Sequence, residues 1–299
     1  MKLPLPQRNK GYFHYKWKQY GVGYLFMLPW LIGFLALIAF PIVWSLFLSF
    51  NKVTLTAKGF IYTWAGMQNF KDAFIVDNEF PVQLILYMQQ MLLIIPIIVI
   101  FALLVSLLLN QKFPGRFVYR AIFFLPVIFA TGQVLTELFA QGAGEIPFME
   151  QYNIDSLVQN NVGGQFVGPV VEVLKRTVII LWYSGVQILI FIAGFQTISK
   201  SVYEAVRIDG ASPWDSFWKI TLPGIVPFIS LNLLYTIVDL FTFPLNPVLE
   251  LVRKNMFNPA TGYGYASALA WIYFAIIFVL LAVVSWMFGR SAKRKGGRA

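Results

Sequence analysis

Polar side chains recur at helical spacing along an apolar run near residue 235, and their types suit hydrogen bonding to a solute rich in hydroxyl groups. Residues three or four positions apart share one face of an α-helix. Amides both donate and accept hydrogen bonds, and a carboxylate accepts two neighbouring hydroxyls. The run therefore predicts a helix face that binds a polar solute. Its members are Asn232, Tyr235, Thr236, Asp239, Thr242 and Asn246.

Three other apolar runs carry polar residues at similar spacing. Tyr183 and Gln187 stand one helical turn apart, and Gln133 and Glu137 do the same in an earlier run. A third run has three such residues, Gln83, Tyr87 and Gln90. Together these faces predict one cavity that suits a sugar. The predicted substrate-binding set is Tyr183, Gln187, Asn232, Tyr235, Asp239, Glu137 and Gln133.

The helices that hold these residues are long and apolar enough to cross a membrane. Of the 299 residues, 58% are hydrophobic and 12% are charged, about half the charged share of a soluble protein. A helix needs about 20 predominantly apolar residues to cross a bilayer. The sequence therefore predicts an all-α polytopic membrane protein, a single domain over 1–299 with six transmembrane helices. The predicted spans are 22–50, 82–109, 117–140, 177–197, 224–245 and 264–289.

Intramembrane polar residues have two interpretations. They are costly in lipid and tend to face a bundle interior or an aqueous cavity, but they also hydrogen-bond between helices. For Asp239 the cavity is favoured, because an ionisable group at that depth needs a partner. For Tyr183, Gln187 and Asn232 both interpretations stay open.

Composition excludes several kinds of chemistry. The chain has no cysteine and one histidine, His14, so thiol chemistry and cysteine-based metal sites are excluded. No Gly-Lys dipeptide occurs, which excludes a Walker A nucleotide loop. We therefore expect no catalytic residue, no metal and no cofactor bound by this chain.

Basic residues alternate between the predicted loops. Most of the 23 lie in the two tails and in the segments after the second and fourth spans. The positive-inside rule then places both termini in the cytoplasm. The net charge of +10 is explained by this bias and by contact with anionic lipid, without nucleic acid. We expect a multi-pass protein of a prokaryotic cytoplasmic membrane, with an external loop at 141–176 whose role stays open.

The segment 199–223 carries a helix–turn–helix pattern. Ser201 with Glu204 three residues later predicts a capping box, and Gly210 predicts a turn with positive φ. Ser212 predicts the start of a second short helix. That helix carries three aromatic rings, which should bury against the protein itself or a cytoplasmic partner: Trp214, Phe217 and Trp218.

A series of residues with fixed spacing runs through the same segment. In order, the series is Glu204-Ala205, Asp209-Gly210-Ala211, Phe217, Ile220, Leu222-Pro223 and Pro227. It resembles the EAA loop of ABC importer permeases, most closely the carbohydrate-uptake, maltose-type branch. The run from Arg120 to Pro126 agrees with this resemblance, and Val206 departs from it, since a second alanine is usual there.

The resemblance implies a type I ABC importer permease fold in which this segment is a coupling helix that docks into an ATPase subunit. It also implies a substrate site on the helices flanking the loop, here the fourth and fifth spans. The implied partners are a second permease, an ATPase dimer that holds ATP and Mg, and an extracellular solute-binding protein. A heterodimer of related permeases is expected, with a homodimer as the alternative. The implied ATPase-coupling residues are Glu204, Ala205, Asp209, Gly210 and Ala211.

The sequence thus predicts a non-enzymatic permease subunit that takes up a carbohydrate by alternating access. Within the same class, the alternative solutes are glycerol phosphate or a polyamine. In another class, the alternative is an ion-coupled secondary transporter, which needs no coupling loop and usually shows an internal repeat. An intramembrane enzyme is a further alternative, disfavoured by the absence of cysteine.

Overall fold

The computed structural model describes residues 23–56, 59–129, 134, 137 and 177–296. Gln133 and the external loop predicted at 141–176 lie outside these residues. Helices dominate the described chain, as the long apolar runs predict. In chain order they are α1 Gly23–Ser49, α2 Gln68–Ile75, α3 Phe80–Asn110, α4 Arg116–Phe129, α5 Thr177–Gln196, α6 Lys200–Ile208, α7 Pro213–Phe241, α8 Pro247–Met256 and α9 Gly262–Gly296.

Four of these described helices, α1, α3, α7 and α9, are long and apolar enough to cross a membrane. A fifth span results if α5 and α6 are taken together, although they are bent by 64° at the break between them. α4 covers part of the predicted third span, and the rest of that span lies outside the described residues. The helical polytopic fold class is confirmed, whereas the count of six spans stays a prediction.

A β-hairpin follows α1, which the apolar pattern does not predict. Strands β1 (Asn51–Thr56) and β2 (Gly59–Trp64) pair antiparallel, with Asn51 opposite Trp64 and Thr56 opposite Gly59. Gly59 has a φ of 115°, which glycine adopts without the steric cost that a side chain would add. Both strands are rich in β-branched and aromatic residues, the composition typical of strands.

Contacts divide the chain into two compact units, 1–73 with 255–271 and 74–254 with 272–299. In the first unit, the hairpin is held by Asn69, whose Nδ2 donates to the backbone oxygens of Ser49 (2.8 Å) and Asn51 (3.1 Å). The start of α9 approaches so closely that a Cβ at Gly264 would overlap the Asn51 carbonyl oxygen. Glycine is therefore required at that contact.

The second unit is built around the contact of α3, α5 and α7, which form its buried apolar core. Gly194 of α5 lies against Phe228 of α7, where an added Cβ would stand 2.7 Å from the Phe228 Cγ. Glycine thus lets α5 and α7 approach closely next to the loop that joins them. The buried core residues are Val99, Ala102, Leu109, Ile188, Phe191, Ile192, Phe195 and Ile225.

Candidate functional site

The helix that carries Glu204 begins one residue before the predicted cap. α6 starts at Lys200, and its N-cap Ser199 has extended backbone (ψ 145°) with no side-chain cap hydrogen bond. Ser201 lies inside the helix, and its hydroxyl pairs with that of Ser199 at 2.9 Å. The capping box predicted for Ser201 and Glu204 is therefore wrong. The cause is the turn after α5, where the Thr197 Oγ1 donates to the Gly194 oxygen at 2.7 Å and the chain restarts as helix at residue 200.

The turn and the second helix start form as predicted. Gly210 has a φ of 75°, which favours glycine. The Ser212 Oγ accepts from the Asp215 backbone N–H at 3.1 Å, so Ser212 is the N-cap of α7. Lys219 then forms an ion pair with Asp215 at 2.8 Å, one turn apart. This segment is therefore ordered by its own local hydrogen bonds.

The residues predicted to couple to an ATPase form a solvent-exposed surface. Glu204, Ala205, Asp209 and Gly210 are exposed, and Ala211 is half-buried. A Cβ added at Gly210 would meet no atom within 4 Å. The charged and small residues of the segment are thus available to another protein.

α6 is also held against α7 by a side-chain hydrogen bond. Tyr203 of α6 shares a 2.9 Å hydrogen bond between its hydroxyl and that of Thr221 in α7. Phe217 turns inward and is half-buried, whereas Trp214 is 70% exposed and Trp218 is 48% exposed. The tryptophan rings contact each other edge to face at 5.5 Å. They add an aromatic patch to the exposed surface.

The middle of the α5–α7 contact holds a fully buried polar group. Gln187, Asn232 and Thr236 are all 0% exposed. The Gln187 Nε2 donates to the Thr236 Oγ1 at 3.2 Å, and the Asn232 Nδ2 donates to the Gln187 backbone oxygen at 3.3 Å. Among the described residues, neither the Gln187 Oε1 nor the Asn232 Oδ1 has a hydrogen-bond donor. The group therefore joins α5 and α7, and two of its side-chain oxygens have no hydrogen-bond donor among the described residues.

Three predicted residues cluster further along the same two helices, away from the loop end. Tyr183 lies within electrostatic reach of Asp239 and Tyr235. Tyr183 is buried, whereas Tyr235 and Asp239 are half-buried. The Tyr183 ring contacts the Phe243 ring edge to face at 5.4 Å between centroids. Phe243 is a neighbour that spacing alone did not single out, because it lies beyond the helix.

The polar face predicted on α7 is shorter than its spacing suggests. α7 ends at Phe241, so the placement of Thr242 and Asn246 on that face is wrong. The Thr242 Oγ1 bonds back to the Val238 oxygen at 2.7 Å, and Pro244 follows two residues later. Proline is common just after a helix end because it cannot continue the helix. Asn246 is instead buried and donates to the Phe241 oxygen at 3.0 Å.

The remaining predicted residues take different places. Glu137 is exposed, and Gln133 lies outside the part of the chain that is described. On α3, Tyr87 is buried and donates its hydroxyl to the Leu240 oxygen at 2.6 Å. Gln90, one turn along, is half-buried.

The chain is similar to several known proteins. The chain is 30% identical to the probable ABC transporter permease protein YesP of Bacillus subtilis, with 88% of each chain covered. It is 25% identical to the multiple sugar-binding transport system permease protein MsmF of Streptococcus mutans, over 88% of this chain and 92% of that protein. A solved structure of a bacterial ABC transporter involved in alginate import matches with a TM-score of 0.64 and 17% identity, over 93% of this chain and 98% of that chain. That likeness shows a shared fold.

Residues 73–296 match the family of binding-protein-dependent transport system inner membrane components, and the chain belongs to that family. It is therefore a multi-pass membrane protein of the cytoplasmic membrane with a role in transport. The exposed surface around Gly210 and the polar groups between α5 and α7 both lie within residues 73–296, which match the family.

Proposed function

We propose that this chain is the transmembrane permease subunit of an ATP-driven importer that takes up a carbohydrate by alternating access. Membership of the binding-protein-dependent family supports the importer class. The name of the MsmF relative, a multiple sugar-binding transport system permease, supports a sugar as substrate. ATP hydrolysis belongs to a separate ATPase subunit, and this chain performs no covalent chemistry.

The observation that carries the proposal is the exposed surface of Glu204, Ala205, Asp209 and Gly210. An ordered helix and turn that present small residues allow close approach of another backbone, and Glu204 supplies a charged contact. We assign this surface, with Ala211, to docking on the ATPase. ATP and Mg would bind on a pair of ATPase subunits, and closure of that pair would move the docked segments.

We assign the sugar contacts first to Tyr183, Tyr235 and Asp239. A carboxylate within electrostatic reach of two phenol groups combines hydroxyl acceptors with apolar ring faces for a sugar. Glu137 and Gln133 remain proposed contacts from the third span.

We assign Gln187 and Asn232 to sugar binding in a different conformational state. Each has a buried side-chain oxygen without a donor among the described residues, and an unsatisfied buried acceptor costs about 1–3 kcal/mol. When α5 and α7 separate during alternating access, sugar hydroxyls would donate to these oxygens. The two amides would thus join α5 and α7 in one state and bind the sugar in another.

The partners follow from the family. We propose a second, related permease, giving a heterodimer, and an extracellular solute-binding protein that delivers the sugar. The segments 141–176 and 246–262 are the proposed contacts of that binding protein.

The test is a pull-down of tagged protein from its native membrane in mild detergent, with mass spectrometry of the bound chains. We expect a second permease and an ATPase with a Walker A sequence. The Gly210→Asp variant should lose the ATPase and keep the second permease, because the added carboxylate stands on the docking surface. The matched control is Gly59→Asp, which places the same residue at another exposed glycine of positive φ, in the hairpin.

Recovery of the wild-type chain without any ATPase, across salt and detergent conditions, would contradict the importer class. Loss of the ATPase in both glycine variants would show that the effect is backbone strain and not docking.

A further inference from the structure

The first unit carries a continuous strip of aromatic side chains that the proposed function does not use. The strip runs from α1 across the hairpin to the start of α9, and neighbouring rings have centroids 5.3 to 6.5 Å apart. Six of its seven members are 42% to 70% exposed, and the seventh, Tyr263, is half-buried. A contiguous exposed apolar surface of this kind marks a site of contact with a protein or a membrane. The members of this aromatic strip are Phe40, Phe47, Trp44, Tyr62, Phe60, Tyr263 and Phe257.

The hairpin that carries the middle of the strip has two unlike faces. Successive side chains along a strand point to opposite faces, so Phe60, Tyr62 and Trp64 share one face. Each of these three rings is at least 42% exposed. The other face holds mostly polar residues at exposed or half-buried positions, namely Lys52, Thr54, Ile61 and Thr63. Such a hairpin suits a boundary with an apolar layer on one side and water on the other.

Trp44 gives the depth of the strip along α1. α1 has 27 residues and is about 40 Å long, whereas the hydrocarbon core of a bilayer is about 30 Å thick. A centred α1 therefore extends about 5 Å beyond the core at each end. Trp44 precedes the last residue of α1, Ser49, by five positions, about 7–8 Å along the axis, so its ring lies near the edge of the core. Tyr62 contacts that ring edge to face at 6.1 Å, and the hairpin therefore folds back beside α1.

The start of α9 reaches the same level as the end of α1. Gly264 of α9 lies against the Asn51 carbonyl at the base of the hairpin. In the same turn, Tyr263 contacts Phe60 edge to face at 5.4 Å. Two helices that are long and apolar enough to cross a membrane thus end together at the strip. Tryptophan and tyrosine are enriched at this level of membrane proteins, because their rings have an apolar body and a polar atom.

We propose that the hairpin lies on the bilayer surface, with the aromatic strip in the lipid headgroup layer and the Lys52–Thr63 face in water. With the N-terminus in the cytoplasm, as predicted, this is the external leaflet. Lipid is favoured over a protein partner because the strip keeps to one depth and joins the ends of two spans. The hairpin thereby fixes how deep α1 and the start of α9 sit in the membrane. This inference requires only a membrane protein and is independent of the solute.

The experiment measures the surroundings of single nitroxide labels on the full chain, purified with its copurifying subunits and reconstituted in liposomes of phosphatidylethanolamine and phosphatidylglycerol. The chain has no cysteine, and the unsubstituted protein treated in parallel gives the background. Labels at Phe60→Cys, Tyr62→Cys and Trp64→Cys are compared with matched controls on the opposite face, Thr54→Cys and Thr63→Cys. Collisions with oxygen report lipid, and collisions with a water-soluble nickel chelate report water. The ratio of oxygen to nickel collisions should be at least about threefold higher on the aromatic face, because the apolar layer excludes the chelate.

High nickel collision rates on both faces would place the hairpin in water and overturn the proposal. Low rates with both reagents on the aromatic face would mean that another protein covers it, which also overturns the proposal. A second test replaces Tyr62 and Trp64 together by threonine, which keeps the strand propensity. Nickel collisions at a label on Phe60→Cys should then rise, and an unchanged rate refutes the anchoring role. Recovery of an ATPase with the unsubstituted chain tests the importer class separately, so the two proposals fail independently.

Discussion

The Asp239 carboxylate of α7 lies within electrostatic reach of the phenol groups of Tyr183 and Tyr235, and its immediate neighbours in the helix, Val238 and Leu240, are apolar. Its removal should abolish sugar uptake while the subunits still assemble, because a carboxylate that accepts two hydroxyls has no substitute in the group. We expect Asp239→Ala to lower uptake at least tenfold. Asp239→Asn, which keeps the shape and one acceptor, should lower uptake less. Uptake is measured in liposomes, and assembly by pull-down.

The matched control is Thr242→Ala, which removes a polar group from an exposed position just beyond the end of α7. It should retain uptake. Unchanged uptake and unchanged sugar preference in Asp239→Ala would show that this residue has only a structural role.

Residue types and spacing predicted which polar residues share a helix face. They did not predict how deeply these residues are buried or which residues they contact. Helical spacing placed Asn232, Tyr235 and Asp239 on neighbouring positions of one helix, as the structure shows. Spacing did not show that Gln187 and Asn232 are fully buried against each other's helices. Burial depends on which helix lies opposite, and that information is in the tertiary contacts. For the same reason, spacing gave no sign that Phe243 contacts Tyr183.

At the scale of helices, the close contact of α5 with α7 depends on Gly194. Alanine there would bring a Cβ within 2.7 Å of the Phe228 Cγ and 3.1 Å of its Cβ, so the ring must move bodily. Overpacking of this kind costs about 1–3 kcal/mol, more than the 0.5–1 kcal/mol that alanine gains over glycine in a helix. We expect Gly194→Ala to lower the free energy of unfolding by about 1–2 kcal/mol, measured by SDS titration in mixed micelles.

Two other helical glycines provide a graded comparison. Gly224→Ala meets only the flexible end of Ile198, at 2.8 Å from its Cδ1, and should cost less than Gly194→Ala. Gly289→Ala meets no atom within 4 Å and should be neutral or slightly stabilising. Equal effects at all three positions would indicate a general response to helix propensity and would rule out the close contact.

Long apolar runs and local capping signals predicted most of the elements. The run over 82–109 corresponds to α3, Phe80–Asn110, and Ser212 caps α7 as its position before Pro213 predicts. The hairpin was missed because its strands are six residues each and a two-stranded hairpin is marginal on its own. It depends on contacts from distant parts of the chain, Asn69 and the start of α9. The capping box was misplaced because α6 begins at Lys200, two residues before the start that a cap at Ser201 predicts.

At the scale of the whole molecule, the described residues leave most of α1 exposed. Its most apolar 18 residues are 0% buried, whereas one third of the corresponding residues of α3 are buried. A helix that is apolar on all sides faces lipid or another protein. We expect one face of α1 to contact the second permease, so cysteines placed singly from Leu31 to Leu46 should cross-link to that subunit every three or four positions.

The natural chain has no cysteine, so each cross-link reports one position. A cysteine at Ile98, which is fully buried within the second unit, should form no cross-link and serves as the control. Absence of cross-links along the whole of α1 would mean that lipid surrounds it.

The continuity of α7 has a mechanical consequence. Ser212 caps one helix of 29 residues, about 43 Å long. This helix carries the two tryptophans, the π-helical turn at 217–221, Tyr235 and Asp239. Pro227 and the π-helical turn lie within it, whereas α6 meets α5 across a bend of 64°. A tilt of about 5° around the midpoint of α7 would move each end by about 2 Å. If α7 tilts as one body, a displacement imposed at Trp214 produces an opposite displacement of similar size at Asp239.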